Sequence, residues 1–90
     1  MYFALLYDPA PDYLERRKAF REAHLALVRQ WHQQGRIAMA GAFNPPDGAL
    51  LTFRVDSAAE VEAFVQADPY VKNGVVAGHR IREWTVVIGG

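Results

Sequence analysis

The 90-residue chain contains no cysteine, which excludes a disulfide framework, a thiol nucleophile and a thiolate metal site. No apolar run approaches the roughly 18 residues of a membrane span, and no basic start precedes an apolar stretch at the N-terminus. The ten basic and ten acidic side chains cancel without forming long runs of one sign, so the sequence lacks the charge pattern of a nucleic-acid or membrane surface. We expect a cytoplasmic protein with neither kind of partner.

Familiar catalytic and cofactor motifs are also missing. The glycines lack the spacing of a phosphate loop, and the only serine, Ser57, is placed to cap a helix. On a helix, His24 and His32 would lie about 80° apart around the axis and about 12 Å along it, too far apart to share a metal ion. We therefore expect neither a metal nor a cofactor.

The length and the even composition predict a single domain over residues 1–90. No Pro/Ser/Gly-rich linker, internal repeat or low-complexity tract divides the chain. A domain of this size buries only about 60% of its unfolded surface, so a partner subunit would add to its stability.

The first half of the chain predicts a strand, a long helix and a hairpin. Residues 2–8 are aromatic-rich and end in a proline-containing turn, as a short strand does. A capping-box pattern starts at Asp12, and no glycine or proline interrupts residues 12–35, which predicts one continuous helix. Residues 36–43 and 49–55 are strand-length apolar runs on either side of a turn-rich segment, which predicts a hairpin.

The second half predicts one more helix and one more strand. Ser57 and Glu60 repeat the capping pattern and Pro69 disfavours helix just before it, so we predict a helix over residues 57–67. A glycine-containing loop and a last strand over residues 80–88 follow. This order is that of an α+β, ferredoxin-like fold, a split βαβ arrangement with a four-stranded antiparallel sheet and two helices on one face.

The predicted strands are apolar on both sides of the sheet. Because two helices cover only one face, the other would expose a contiguous apolar patch, and such patches usually mark an interface. We predict a homodimer in which two sheets pack face to face and enclose a barrel-like space, a dimeric α+β barrel. The alternating residues are Phe3, Leu5 and Tyr7 against Tyr2, Ala4 and Leu6 in the first strand, and Trp84, Val86 and Ile88 against Thr85 and Val87 in the last.

A histidine lies within the apolar stripe of the first helix. At about 100° per residue this stripe spans roughly 140°, and it comprises Tyr13, Phe20, Ala23, Leu27, Val28 and Trp31. His24 falls inside the stripe, and Arg21 lies one turn earlier, at its edge. A half-buried imidazole is costly unless it is hydrogen-bonded. Asp68, held extended by Pro69, could orient it if the folded chain brings the two together.

Each of these residues also has an ordinary structural explanation. A histidine on an apolar face is more often a satisfied core residue, and Asp-Pro after a helix is common turn chemistry. Arg21 could simply extend along the surface, and Tyr70 could pack as a loop aromatic or bring a hydroxyl to a site. Spacing alone does not place Asp68 beside His24.

Three short motifs stand in a characteristic order: R-x-x-H at Arg21 and His24, A-G at Ala40 and Gly41, and D-P-Y at Asp68, Pro69 and Tyr70 with Gly74 following. The set resembles the YciI-like, or YCII-related, family over nearly the whole chain. That resemblance implies a dimeric α+β barrel related to muconolactone isomerase and to a dehydrochlorinase of chlorinated hydroxyquinols. It also implies a His-Asp dyad at His24 and Asp68. We expect Arg21, Tyr70 and Gly41 at the substrate pocket. Where the family often has proline after A-G, this chain has Ala42.

The leading hypothesis is a small cofactor-independent enzyme of lyase or isomerase type that acts on a small cyclic or aromatic substrate. In it, Asp68 orients His24, His24 moves a proton, and Arg21 holds an anionic or phenolic oxygen. One alternative is a non-catalytic module that binds a small ligand in the same space. Another is a structural subunit whose cavity is filled by side chains.

Overall fold

Four strands form one antiparallel sheet, and the helices pack against one of its faces. The computed structural model describes residues 1–90, and the strand order in the sheet is β2-β3-β1-β4. The predicted ferredoxin-like fold is therefore confirmed. None of the helices combines the length and the apolar character needed to cross a membrane. The elements are β1 (Tyr2–Pro9), α1 (Tyr13–Arg16), a 3-10 turn (Arg17–Ala19), α2 (Arg21–Gln33), β2 (Ile37–Ala42), β3 (Ala49–Arg54), α3 (Ala58–Ala67), α4 (Pro69–Lys72) and β4 (Val76–Trp84).

The core lies between the sheet and helices α2 and α3. Strand β1 is central because it pairs with both β3 and β4, and its inward side chains alternate with half-buried ones. Trp31 of α2 and Phe64 of α3 meet Phe53 of β3 edge to face, with ring centroids 5.2 to 5.9 Å apart. Such contacts add to the burial of apolar area. The buried core cluster is Phe3, Leu5, Tyr7, Trp31, Ile37, Leu51, Phe53, Val55, Val61, Phe64 and Val65.

The prediction of one continuous helix over residues 12–35 is wrong. Helix α1 ends at Arg16 and a 3-10 turn follows, and Phe20 breaks the chain direction with φ −118° and ψ −1° before α2 begins. The Asp12 side chain does not cap the helix but pairs with Arg16, with 2.9 Å between Oδ1 and Nε. A cap pattern read from residue types alone was therefore misleading here.

Tertiary contacts account for the separate orientation of α1. The Tyr13 hydroxyl donates to the carbonyl of Pro46 in the β2–β3 loop, and the Arg16 guanidinium donates to the carbonyl of Gly74 at 3.1 Å. These bonds join α1 to loops that are distant in sequence. Because the chain changes direction at Phe20, α1 can make these bonds while α2 packs against the sheet.

The predicted hairpin and the predicted helix over residues 57–67 are confirmed with small shifts at their ends. The Ser57 side chain makes no capping bond, whereas Glu60 accepts from the backbone N–H of Asp56 at 2.9 Å. Helix α4 was not predicted. It begins with Pro69 at its first position and is capped by Asp68, whose side chain accepts from the Tyr70 N–H.

The last strand differs at both ends from the predicted residues 80–88. Strand β4 begins at Val76, which pairs with Pro9, and it ends at Trp84, which pairs with Tyr2. Because β1 begins at Tyr2, it offers no backbone partner beyond Trp84. The residues after it leave the sheet, and Val87 and Ile88 are exposed.

The face of the sheet opposite the helices is apolar at its centre and basic at its sides. Ala4, Leu6 and Leu50 are half-buried there, while Met39 and Trp84 are exposed. The register also places Arg54, Arg80 and Arg82 on this face, so it is less uniformly apolar than predicted. We call it the open face.

Candidate active site

A cavity of about 430 Å³ opens between α2, the edge strand β2 and helix α4. This volume lies within the range of small-ligand pockets, roughly 300 to 1,000 Å³. Most of the lining is hydrophobic, and Arg21, His24, Gly41 and Tyr70, four of the residues predicted for the site, belong to it. A purely structural subunit was expected to fill this space with side chains, whereas the space is open.

The structure brings His24 and Asp68 together although they are 44 residues apart in sequence. His24 Nδ1 lies 2.8 Å from Asp68 Oδ1, and the two side chains are 13% and 0% exposed. Because an ionised carboxylate can only accept, the geometry assigns the Nδ1 proton to a bond donated to Asp68. His24 Nε2 makes no hydrogen bond within the protein, which leaves its lone pair available on the side of the cavity.

Asp68 is held by two further hydrogen bonds. The Tyr7 hydroxyl donates to Oδ2 at 2.7 Å, and the Tyr70 N–H donates to Oδ1 at 3.0 Å. A buried charge is tolerated when such donors replace its water. Burial, and then the negative charge of Asp68 beside it, raise the pKa of Tyr7 far above its usual range, so Tyr7 remains a donor at physiological pH.

The Tyr70 ring lies flat against the His24 ring. Their centroids are 3.8 Å apart and their planes differ by 4°. With Nδ1 bonded to Asp68 and one ring face covered by Tyr70, the imidazole is restricted both in rotation and in tilt. Helix α4 supplies this arrangement as a unit, because Asp68 caps the helix and Tyr70 is in its first turn.

Two arginines, Arg17 and Arg21, also line the cavity. Burial raises the pKa of the Tyr70 hydroxyl, and the positive charges of Arg21 and Arg17 act in the opposite direction. The Arg21 guanidinium also approaches the Tyr70 hydroxyl oxygen closely enough to lower this pKa through a hydrogen bond. The hydroxyl is buried, and its proton has no acceptor. Among the buried side-chain polar atoms it is the one left unsatisfied.

Gly41 lies in the wall of the cavity with its neighbours Ala40 and Ala42. A Cβ at Gly41 would meet nothing within 4 Å, so local space does not require glycine at this position. Small side chains along β2 instead leave this side of the cavity open.

The predicted site omitted Tyr7 and Arg17. Tyr7 had a signal, since it follows Phe3 and Leu5 on the inward side of β1, where a hydroxyl needs a buried partner. Arg17 stands one helical turn before Arg21, and an uninterrupted helix would have placed the two on one face.

The other two histidines have structural partners outside the cavity. His32 Nδ1 lies 2.8 Å from the Ile37 carbonyl oxygen, and His79 Nε2 lies 3.3 Å from Glu62 Oε2. Hydrogen bonds from Gln66 and His79 lower the pKa of Glu62. No group of three or more His, Asp or Glu side chains lies close enough together to hold a metal ion.

The sequence matches the model of the YCII-related domain over residues 1–85. The chain belongs to the YCII-related family. It is 31% identical over 85 residues to protein YciI of Escherichia coli O6:H1, an alignment that covers 83% of this chain and 87% of that protein. It is 30% identical over 87 residues to an uncharacterised protein of Haemophilus influenzae, with 86% and 89% covered.

A solved structure shows the same fold around a bound small molecule. The structure is 5-chloro-2-hydroxyhydroquinone dehydrochlorinase from Burkholderia phenoliruptrix in complex with 2,5-dihydroxybenzoquinone. This chain is similar to it with a TM-score of 0.82 and 26% sequence identity, over 94% of both chains. A protein of similar fold and length therefore acts on a hydroxylated aromatic ring.

Replacing Tyr7 with Phe is expected to destabilise the protein and to change its response to alkaline pH. The variant removes one donor from buried Asp68, which costs about 1.5 to 3 kcal/mol. Because folding raises the pKa of Tyr7, its contribution is present below the unfolded value of about 10 and is lost as pH rises above it. Urea unfolding at pH 7 and at about pH 10.5 measures both effects.

Tyr13→Phe is the matched control, because its hydroxyl contacts the exposed β2–β3 loop rather than Asp68. Between pH 7 and about pH 10.5, Tyr13→Phe should lose as much free energy of unfolding as the wild type, whereas Tyr7→Phe should lose less. An equal loss in Tyr7→Phe and in the wild type would contradict the bond between Tyr7 and Asp68 as the source of the pH dependence.

Proposed function

We propose that the protein is a cofactor-independent enzyme in which His24 transfers a proton to and from a small cyclic or aromatic substrate. The observation that carries the proposal is the free Nε2 of His24 at an open cavity, with Nδ1 fixed by a fully buried carboxylate. This is the arrangement that a general base needs, a lone pair on one nitrogen and an orienting acceptor on the other.

In the proposed reaction, Nε2 takes a proton from a carbon or a hydroxyl of the substrate. The ring then carries a proton on both nitrogens, and its positive charge lies 2.8 Å from the Asp68 carboxylate. Tyr7 and the Tyr70 N–H donate to Asp68, and this carboxylate stabilises the imidazolium by its charge and its hydrogen bond to Nδ1.

The released electron pair can follow either of two courses. In a lyase reaction the pair expels a leaving group such as chloride from a tetrahedral carbon, which an aromatic substrate offers in its keto tautomer, and the proton on Nε2 then passes to solvent. In an isomerase reaction Nε2 returns the proton to a different carbon. Arg21 holds the oxygen on which negative charge develops. The elimination course is supported by the similar protein from Burkholderia phenoliruptrix, whose name describes a dehydrochlorinase.

His24→Asn is expected to lower kcat/KM by about 10² to 10⁴, the usual contribution of general base catalysis. Chloride release from 5-chloro-2-hydroxyhydroquinone, followed by a panel of small phenols and lactones, measures the activity. His79→Asn is the control, because His79 is outside the cavity and pairs with Glu62. Full activity in His24→Asn, or no turnover across the panel by the wild type, would contradict the proposal.

We also propose that two copies pair through the open face, and that the protein is cytoplasmic, as expected above for a chain without cysteine. Ala4, Leu6 and Leu50 form the apolar centre of the open face, and Trp84 is 46% exposed beside them. Pairing would remove this area from water at about 25 cal/mol for each Å². The sheet would then be covered on both faces.

Leu50→Lys is expected to shift the protein from dimer to monomer, because it places a charge at the centre of the proposed interface. Analytical ultracentrifugation of the wild type and the variant measures the change. Leu14→Lys is the control, since Leu14 is 47% exposed on α1, away from the open face. A wild type that sediments as a monomer would exclude the homodimer.

A further inference from the structure

We propose that Arg17, Arg21 and the hydroxyl of Tyr70 form a subsite for a negatively charged oxygen. The ligand of the cavity is then a small organic anion, a carboxylate, phenolate or enolate, rather than a neutral molecule. The inference rests on the proposed function only where it places the reacting part of that ligand at His24 Nε2.

The first support is that both arginines lack a carboxylate partner. On the same stretch of chain, Arg16 pairs with Asp12 at 2.9 Å and Lys18 pairs with Glu15 at 2.8 Å. Arg17 lies over the Tyr13 ring, at 5.7 Å from the centroid, and neither Arg17 nor Arg21 forms a salt bridge. Asp12 and Glu15 are thus paired with neighbours that do not line the cavity.

The second support is the charge of the cavity as a whole. Its lining includes both arginines and no aspartate or glutamate. Arg17 is half-buried and Arg21 is exposed, and two like charges beside a largely apolar wall create a positive potential there. A neutral ligand would leave this potential unused, whereas an anion would be attracted by it.

The third support is the Tyr70 hydroxyl. Tyr70 is 9% exposed, and the proton of its buried hydroxyl has no acceptor. An unsatisfied buried group costs about 1 to 3 kcal/mol. The hydroxyl is a donor, as are the two guanidinium groups that act on it electrostatically. An anionic oxygen is the acceptor that all three donors lack.

The stacking of Tyr70 on His24 relates this subsite to the proposed proton-transfer site. The ring centroids are 3.8 Å apart and the ring planes are nearly parallel, so stacking sets the position of the Tyr70 hydroxyl relative to His24 Nε2. A ligand held by its charged oxygen would present a defined part of its body to Nε2. The subsite therefore selects both the charge and the orientation of the ligand.

Binding of matched probes tests the inference. One anion is 2,5-dihydroxybenzoquinone, whose acidic hydroxyls are ionised at neutral pH and which represents an enolate. The other is benzoate, which represents a carboxylate, so the pair shows which kind of anionic oxygen the subsite prefers. Hydroquinone is the neutral probe of similar size. Isothermal titration calorimetry is expected to show that at least one anion binds the wild type more tightly than hydroquinone does.

Charge-removing variants locate the site of binding. Arg17→Gln and Arg21→Gln are each expected to raise the Kd of that anion by about tenfold or more. Arg29→Gln makes the same change at an exposed position of α2 outside the cavity and should leave the Kd unchanged. Tyr70→Phe, which can retain the stacked ring, should weaken the binding of the anion more than the binding of hydroquinone.

Each result separates the subsite from the proposed function. Hydroquinone binding as tightly as both anions, binding by none of the probes, or an unchanged Kd in Arg17→Gln would overturn the subsite even if His24-dependent turnover were found. Anion binding that depends on Arg17 supports the subsite, and it should also be found in His24→Asn. The subsite would stand on that result even if no His24-dependent turnover were found.

Discussion

A single buried carboxylate, Asp68, joins the three elements that build the candidate site. Its oxygens accept from Tyr7 of β1, from His24 of α2 and from the Tyr70 N–H of α4, and its side chain is fully buried. Removing an ion from water costs several kcal/mol, and only well-placed donors offset that cost. The fold must therefore hold β1, α2 and α4 in fixed relative positions around Asp68. This requirement also fixes the orientation of the His24 ring.

The ferredoxin-like order explains how the donors meet. Strand β1 is central in the sheet, so its inward face lies beneath the helices, and Tyr7 is the last inward residue before the strand ends. Helix α4 follows α3 directly, and Asp68 at their junction contacts His24 of α2. The cavity opens beside this junction because β2 carries small residues there. The core and the site thus share the same elements but use different ends of them.

The features that could be predicted from sequence were local ones. Strand and helix types follow from patterns within a few residues, and the His24 position follows from the helical stripe. The break at Phe20 and the limits of β4 could not be predicted in this way. The contact of Arg16 with Gly74 spans 58 residues, and β4 ends where β1 begins. Tyr7 and Arg17 were missed because their roles depend on neighbours that only the folded chain supplies.

The orientation of His24 by Asp68 is the central claim, and the ring nitrogens report it directly. NMR of ¹⁵N-labelled imidazole rings, followed as pH rises, shows which nitrogen loses its proton when each ring becomes neutral. We expect His24 to keep the proton on Nδ1, bonded to Asp68, and to lose it from Nε2. Loss of the proton from Nδ1, with Nε2 still protonated, would show that Asp68 does not orient the ring.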